Sequence, residues 1–336
     1  MSQPVDLDSR PGLLAPAGAA RLLGSLRLGR FSGVYLWIVF VGVFAVWIPN
    51  LFLTTTTAQS VANEQAIVVI LALAAVLNLS AGALDLSIGQ NLGLGACVCV
   101  ILITHGVATP FAALATIGTC GAAGLLNAFL VVGVGLEALI ATLGTSSVLL
   151  AITEIITNNQ YVGPTRRSFQ TVVSYKPLGI PVLVIYALVA AAVVWYVLEH
   201  TPIGRRIAAT GANPDTARLA GIPTRRYALA TFVTSGLVAG VAAFLLAAKL
   251  GTVSPTIGPG YLLPVYAAAF LSATQIKPGR FNVWGTVIAI YLLATGVKGL
   301  VLAGGQLWIT DLFNGVALIT ALALSLTLQR RQVARS

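Results

Sequence analysis

The residues best arranged to do chemistry lie between two apolar stretches, 179–198 and 228–248, each long enough to cross a bilayer. The segment Thr201–Tyr227 reads TPIGRRIAATGANPDTARLAGIPTRRY and gathers Arg205, Arg206, Arg218, Arg225 and Arg226. Within it, Asn213-Pro214-Asp215 has the order of a helix start: Asn to cap, Pro at the first helical position, Asp in the first turn. Gly221 followed by Pro223 is a stop. The helix between them has about two turns and is marginal alone in water. It needs a partner surface, from its own bundle or from another protein. Ala217, Leu219 and Ala220 offer a small apolar face, and Asp215 and Arg218 offer polar contacts. The chemistry is that of docking, and an ordinary capped loop helix is the alternative.

Asp85 comes second, as the only charge between Glu64 and Glu137. A carboxylate inside a membrane bundle is costly and marks a functional site by default. The local alternative is a cap: Asp85 precedes Leu86-Ser87-Ile88 and can begin the next helix. Both hold if Leu79–Gly89 is a break in a helix lining a pathway. Asn78, Ser87, Asn127, Thr142, Thr145, Ser146 and Ser147 could hydrogen-bond a polar solute, or bond their own helices instead. Asn63, Glu64 and Gln65 could face a partner outside the membrane or mark its interface.

Other chemistries find no support. There is no G-x-x-x-x-G-K-[ST] phosphate loop. His105 and His200 have no ligand partners at metal-binding spacing. No Ser/His/Asp set is visible, and Cys97, Cys99 and Cys120 read as small packing residues. No cofactor, metal or catalytic residue is expected. The energy for any transport has to come from another subunit or an ion gradient.

These residues must be positioned by a membrane bundle. The 336 residues are 57% hydrophobic and only 8% charged, against roughly 25% charged in soluble domains. The apolar runs are continuous rather than alternating, which selects helices over barrel strands. The expected fold is all-α, a polytopic bundle of about ten spans: 33–53, 61–80, 87–104, 109–133, 137–157, 179–199, 227–248, 262–275, 283–303 and 309–328. Residues 1–30 read as a disordered cytosolic tail, 31–329 as one transmembrane domain with a cytosolic loop at 200–226, and 330–336 as a second tail. Basic groups around Arg30, Arg218, Lys277 and Arg330 then share one face, the cytosol, and both termini lie there. The net charge of +10 reflects this bias, so nucleic acid is not an expected partner. Arg166, Arg167 and Lys176 fall in an outer loop, 158–178, expected to carry a short helix. Gly89/Gly93 and Gly236/Gly240 are spaced G-x-x-x-G, for close packing within the bundle or for a dimer seam.

Thr201–Ile222 resembles the cytosolic loop of monosaccharide ABC importer permeases of the ribose, xylose and galactoside class. Gly82–Gly89, GALDLSIG, resembles that family's GGIDLSVG, and Leu139–Thr145, LIATLGT, its apolar-I-x-T-L-G-T segment. The three stretches keep the family's order and about its spacing. The chain departs at Phe270–Thr286, where a G-G-T-S-L-x-G-G-x-G stretch is usual, and at Glu137-Ala138, where Pro is common, so the resemblance is to a divergent branch. It implies a non-enzymatic permease subunit in a prokaryotic plasma membrane, paired with a second copy of itself. It further implies an ATP-binding-cassette subunit below, a solute-binding protein above, and import of a monosaccharide or polyol. The site residues expected from the residues themselves are Asn213, Pro214, Asp215, Ala217, Arg218, Leu219 and Gly221 for coupling, and Asp85, Ser87, Asn78, Thr142 and Thr145 for the path. The alternatives are an ion-coupled secondary carrier, a structural scaffold, or a permease for branched-chain amino acids.

Overall fold

The computed structural model describes residues 28–306 and 308–333. Among them the chain is helical, with one isolated antiparallel bridge, Val162 to Val253. In chain order, α1 is Leu28–Trp47, α2 the single turn Pro49–Phe52, α3 Thr55–Ser80, α4 Ile88–Thr104 and α5 Thr109–Ala128, which runs on as a π-turn to Val134. Then come α6 Ala138–Thr157, α7 Arg167–Ser174, α8 Val182–His200, α9 Pro202–Ala212, α10 Pro214–Leu219 and α11 Thr224–Leu250. The last three are α12 Leu262–Ser272, α13 Val283–Leu302 and α14 Trp308–Val333.

Among the described residues, six helical stretches are long and apolar enough to cross a membrane: α3, α5 with its extension, α6, α8, α11 and α13. Each of the ten expected windows falls on helix, but they are unequal. Gly33–Trp47, Ile88–Thr104 and Trp308–Ala323 are apolar and shorter, while α12, with 11 residues, is about 16 Å long. The first window breaks at Ile48 because the residue before a proline is pushed out of helical geometry. The second begins earlier than 61, at Thr55, because the Thr54 hydroxyl accepts from the Thr57 N–H at 3.1 Å and caps the helix. Of the expected N-terminal tail, residues 1–27 lie outside the described residues and Leu28–Arg30 open α1. At the other end α14 takes in 330–333, and 334–336 lie outside the described residues.

The core is built around α3, where every residue from Ala66 to Leu79 is buried. A helix that is apolar all round belongs at the centre of its bundle. Small residues draw its neighbours together. A methyl group on Gly236 would sit 2.5 Å from the Cys120 carbonyl oxygen, and one on Gly124 2.5 Å from that of Phe232, so α5 and α11 touch backbone to backbone. Gly240 faces Ile117 in the same seam, and Gly89 and Gly93 both face Gly258. Both G-x-x-x-G pairs are therefore used inside the chain. Cys97, Cys99 and Cys120 are free and buried. The 158–178 loop carries the short α7, held by Phe169, which is fully buried and edge-on to Phe244.

Candidate functional site

Two constructions meet at one end of the bundle. The first is the protrusion α9–α10. Thr201 caps α9, its hydroxyl accepting from the Gly204 N–H at 3.3 Å, with Pro202 at the first position. In α10, Asn213 Oδ1 accepts from the N–H groups of Asp215 and Thr216, both at 3.0 Å, and Pro214 follows the cap. The far end closes as a Schellman motif: the Ile222 N–H donates to the Ala217 carbonyl at 3.0 Å and the Gly221 N–H to that of Arg218 at 2.9 Å. This turn needs the left-handed Gly221, at φ +79°. Arg218 forms an ion pair with Asp215 one turn back.

The helix presents its residues differently from the single apolar face expected for it. Ala217 is buried against the bundle, whereas Leu219 is 90% exposed and Ala220 is exposed beside it. The arginines also divide. Arg225 donates to the Val132 carbonyl at 2.7 Å and holds the π-turn end of α5, and Arg206 donates to the Tyr227 hydroxyl at 2.9 Å. Arg205 and Arg226 are exposed and make no side-chain bond among the described residues.

The second construction is a polar knot around Asp85, which is 3% exposed in the break between α3 and α4. Its Oδ1 accepts from the Ser87 N–H at 3.0 Å, the Ser87 hydroxyl at 2.6 Å and the Asn127 amide at 3.3 Å; its Oδ2 accepts from the Asn78 amide at 3.3 Å. The Tyr266 hydroxyl donates to the Asp85 carbonyl at 2.7 Å, and the Asp85 N–H reaches it at 3.2 Å. Thr142 Oγ1 accepts from the Leu86 N–H at 3.1 Å. The carboxylate closes an Asx turn onto Ser87 and also ties the break to α3 and α5, while backbone groups of Leu84, Asp85 and Leu86 tie it to α6 and α12. All its side-chain donors are neutral, and no cation reaches the carboxyl group among the described residues.

Of the residues expected along a path, Asp85, Ser87, Asn78 and Thr142 thus meet, with their donors turned on one another and on backbone. Thr145 is buried nearby, its hydroxyl without a partner among the described residues. Asn127 and Tyr266 complete the knot. Tyr266, 181 residues from Asp85, left no signal in the sequence.

The two constructions touch. A methyl group on Gly211, near the end of α9, would lie 2.3 Å from the Ser80 carbonyl oxygen and 2.9 Å from the Gly82 nitrogen. The protrusion therefore rests on the turn that leads into Asp85, with no side chain between.

The chain matches, over residues 57–322, the family described as the branched-chain amino acid transport system / permease component. It belongs to this permease family. The permease is 29% identical over 297 residues to the D-allose transport system permease protein AlsC of Escherichia coli K12, covering 88% of this chain and 91% of that one. It is 31% identical over 271 residues to the autoinducer 2 import system permease protein LsrD of the same strain, covering 79% and 82%. The LsrD of Shigella flexneri matches to the same extent. These relatives agree with the resemblance carried by the three motifs. No solved structure matches the permease.

Proposed function

We propose that this permease is the membrane-spanning subunit of an ABC importer that admits a monosaccharide or related polyol to a prokaryotic cell. It lies in the plasma membrane as a multi-pass bundle of ten crossings, with both termini and the α9–α10 protrusion on the cytosolic side. Two copies flank a central path, an ATP-binding subunit sits beneath each, and a solute-binding protein delivers the sugar from outside. The chain itself hydrolyses nothing. The relatives named for D-allose and autoinducer 2 import favour a sugar-like solute over the branched-chain amino acids of the family description.

The observation that carries this reading is α10 itself. It is capped at both ends, stapled to its own bundle by Ala217, and it holds Leu219 almost wholly exposed, while Arg205 on α9 and Arg226 on α11 make no side-chain bond among the described residues. A leucine held open by two caps, with arginines on the same protrusion, gives a partner subunit an apolar anchor with a polar rim. Closure of the ATPase pair would press on α10, and the Gly211–Ser80 contact would pass the movement to the Asp85 break as rigid-body motion.

The test is ATP-driven uptake into proteoliposomes containing the whole assembly. Vanadate should abolish it and a protonophore should not. The reverse pattern would identify a secondary carrier. Leu219→Asp should weaken capture of the ATP-binding subunit by the permease, and unchanged capture would remove α10 as the docking element.

A further inference from the structure

A cavity of about 330 Å³ opens between α3, the turn Gly258–Tyr261, α13 and α14. Glu64 on its wall precedes Ser80 by sixteen residues of α3. At about 1.5 Å per residue, the cavity stands ~24 Å from the α9 contact, toward the opposite end of the bundle. Its volume falls at the low end of the ~300–1,000 Å³ of small-molecule sites, suited to a ligand the size of one sugar ring.

The lining is polar in a particular way. Glu64 Oε1 accepts from the Ser60 hydroxyl at 2.6 Å and from Lys298 Nζ at 3.4 Å, and Lys298 also donates to Ser60 at 3.2 Å. The two charges thus answer each other. Around them stand Gln65, Tyr261, Thr310 and Asn314, whose side chains make no hydrogen bond among the described residues. Asn314 is decisive, because it is only 7% exposed. The residue is packed into the wall, yet its amide stays accessible from the cavity and has no partner among the described residues. Thr310 and Asn314 are four apart and share one face of α14, while Leu312, Val316 and Ile319 point outward. This polar stripe is turned into the cavity.

We propose that the cavity is the subsite where the permease receives its monosaccharide, an inference that rests on the importer reading above. Each sugar hydroxyl is donor and acceptor at once, and the Gln65 and Asn314 amides present both in fixed geometry. Thr310 adds a hydroxyl, and the Tyr261 ring gives the apolar face of the sugar a flat support. A free amino acid would need a cation and an anion open to its two ends. Here Glu64 and Lys298 already face each other through one carboxylate oxygen, and the remaining groups without partners are neutral amides and hydroxyls.

The test is thiol protection in the full assembly in lipid nanodiscs. Asn314→Cys is labelled with a methanethiosulfonate reagent in the presence of D-allose, D-ribose, D-xylose or L-leucine. The native cysteines are buried, and Val316→Cys on the outward face is the control. Labelling of Asn314→Cys should slow several-fold with at least one aldose and not with leucine, and Val316→Cys should respond to none. Thr310→Cys, on the same face, replaces it if that variant does not fold. Slowing by leucine alone, or by no solute, overturns the sugar subsite. Wild-type uptake separates the two claims: vanadate-sensitive aldose import without protection removes only the subsite, while absence of such import removes the importer reading. Asn314→Leu should also cut uptake about tenfold, the worth of one lost hydrogen bond, with Val316→Leu unaffected.

Discussion

The contact between Gly211 and the α3–α4 turn is the most exacting place to perturb this protein. Alanine is the better helix former by about 1 kcal/mol, so Gly211→Ala in an exposed helix would stabilise it. Here the new methyl meets the Ser80 carbonyl oxygen at 2.3 Å, and the Ala81 carbonyl carbon and Gly82 nitrogen at 2.9 Å. These are backbone atoms and cannot rotate aside. Restoring an ordinary contact of 3.4 Å requires α9 to retreat by just over 1 Å. Overpacking of this kind costs about 1–3 kcal/mol, so the clash outweighs the propensity gain. If movement passes through this contact, a coupling loss of about 1–3 kcal/mol reads as a 5- to 150-fold fall in import per ATP hydrolysed. The assay measures ATP-driven solute uptake and phosphate release in the same proteoliposomes, with Ala208→Ser on the exposed side of α9 as control. Gly211→Ala with uptake and coupling within twofold of wild type would refute the transmission route.

Three further outcomes follow from the same geometry. Arg218→Glu breaks an exposed ion pair worth about 0–1 kcal/mol, so thermal stability in detergent should hardly change while coupled uptake falls; normal uptake would remove Arg218 from the docking surface. Asp85→Asn replaces one of the two acceptor oxygens by a donor, which with Oδ1 kept toward Ser87 and Asn127 then faces the Asn78 amide, and should cost about 1.5–3 kcal/mol, seen as a lower melting temperature; wild-type melting would mean that the knot does not hold the break. Lys277 and Glu199 pair at 2.7 Å between the α12–α13 loop and the end of α8, so Lys277→Glu should lower stability by up to ~1 kcal/mol and the added Glu199→Lys should restore it, unless the pair is incidental.

What the sequence made legible follows the range of the interactions. The ends of α10 were readable because Asn213, Pro214 and Gly221 act on backbone within a few residues of themselves. The apolar runs were readable because the bilayer imposes their length. The division of labour among the arginines was not, since Arg225 meets Val132 across 93 residues of chain. Asp85 looked like a local cap, and its turn onto Ser87 is indeed local. The ties that make it a junction come from Asn127 and Tyr266, on helices whose neighbours no periodicity reveals. Leu219 was grouped with Ala217 because a helix of six residues is too short for its pattern to declare which side faces the bundle. Thr55 was missed as a start because its polar run carries no hydropathy signal, although Thr54 is a good capping residue.

The seam between α5 and α11 restricts how the protein can change shape. Surfaces lined by long side chains tolerate sliding, because the chains can swap rotamers as the helices shift. Where Gly124 and Gly236 leave peptide pressed on peptide, no such lubricant exists, and a small slip would drive carbonyls into α-carbons. These two helices must travel as one stiff plank through any opening and closing. A crosslink engineered across them should therefore leave turnover intact.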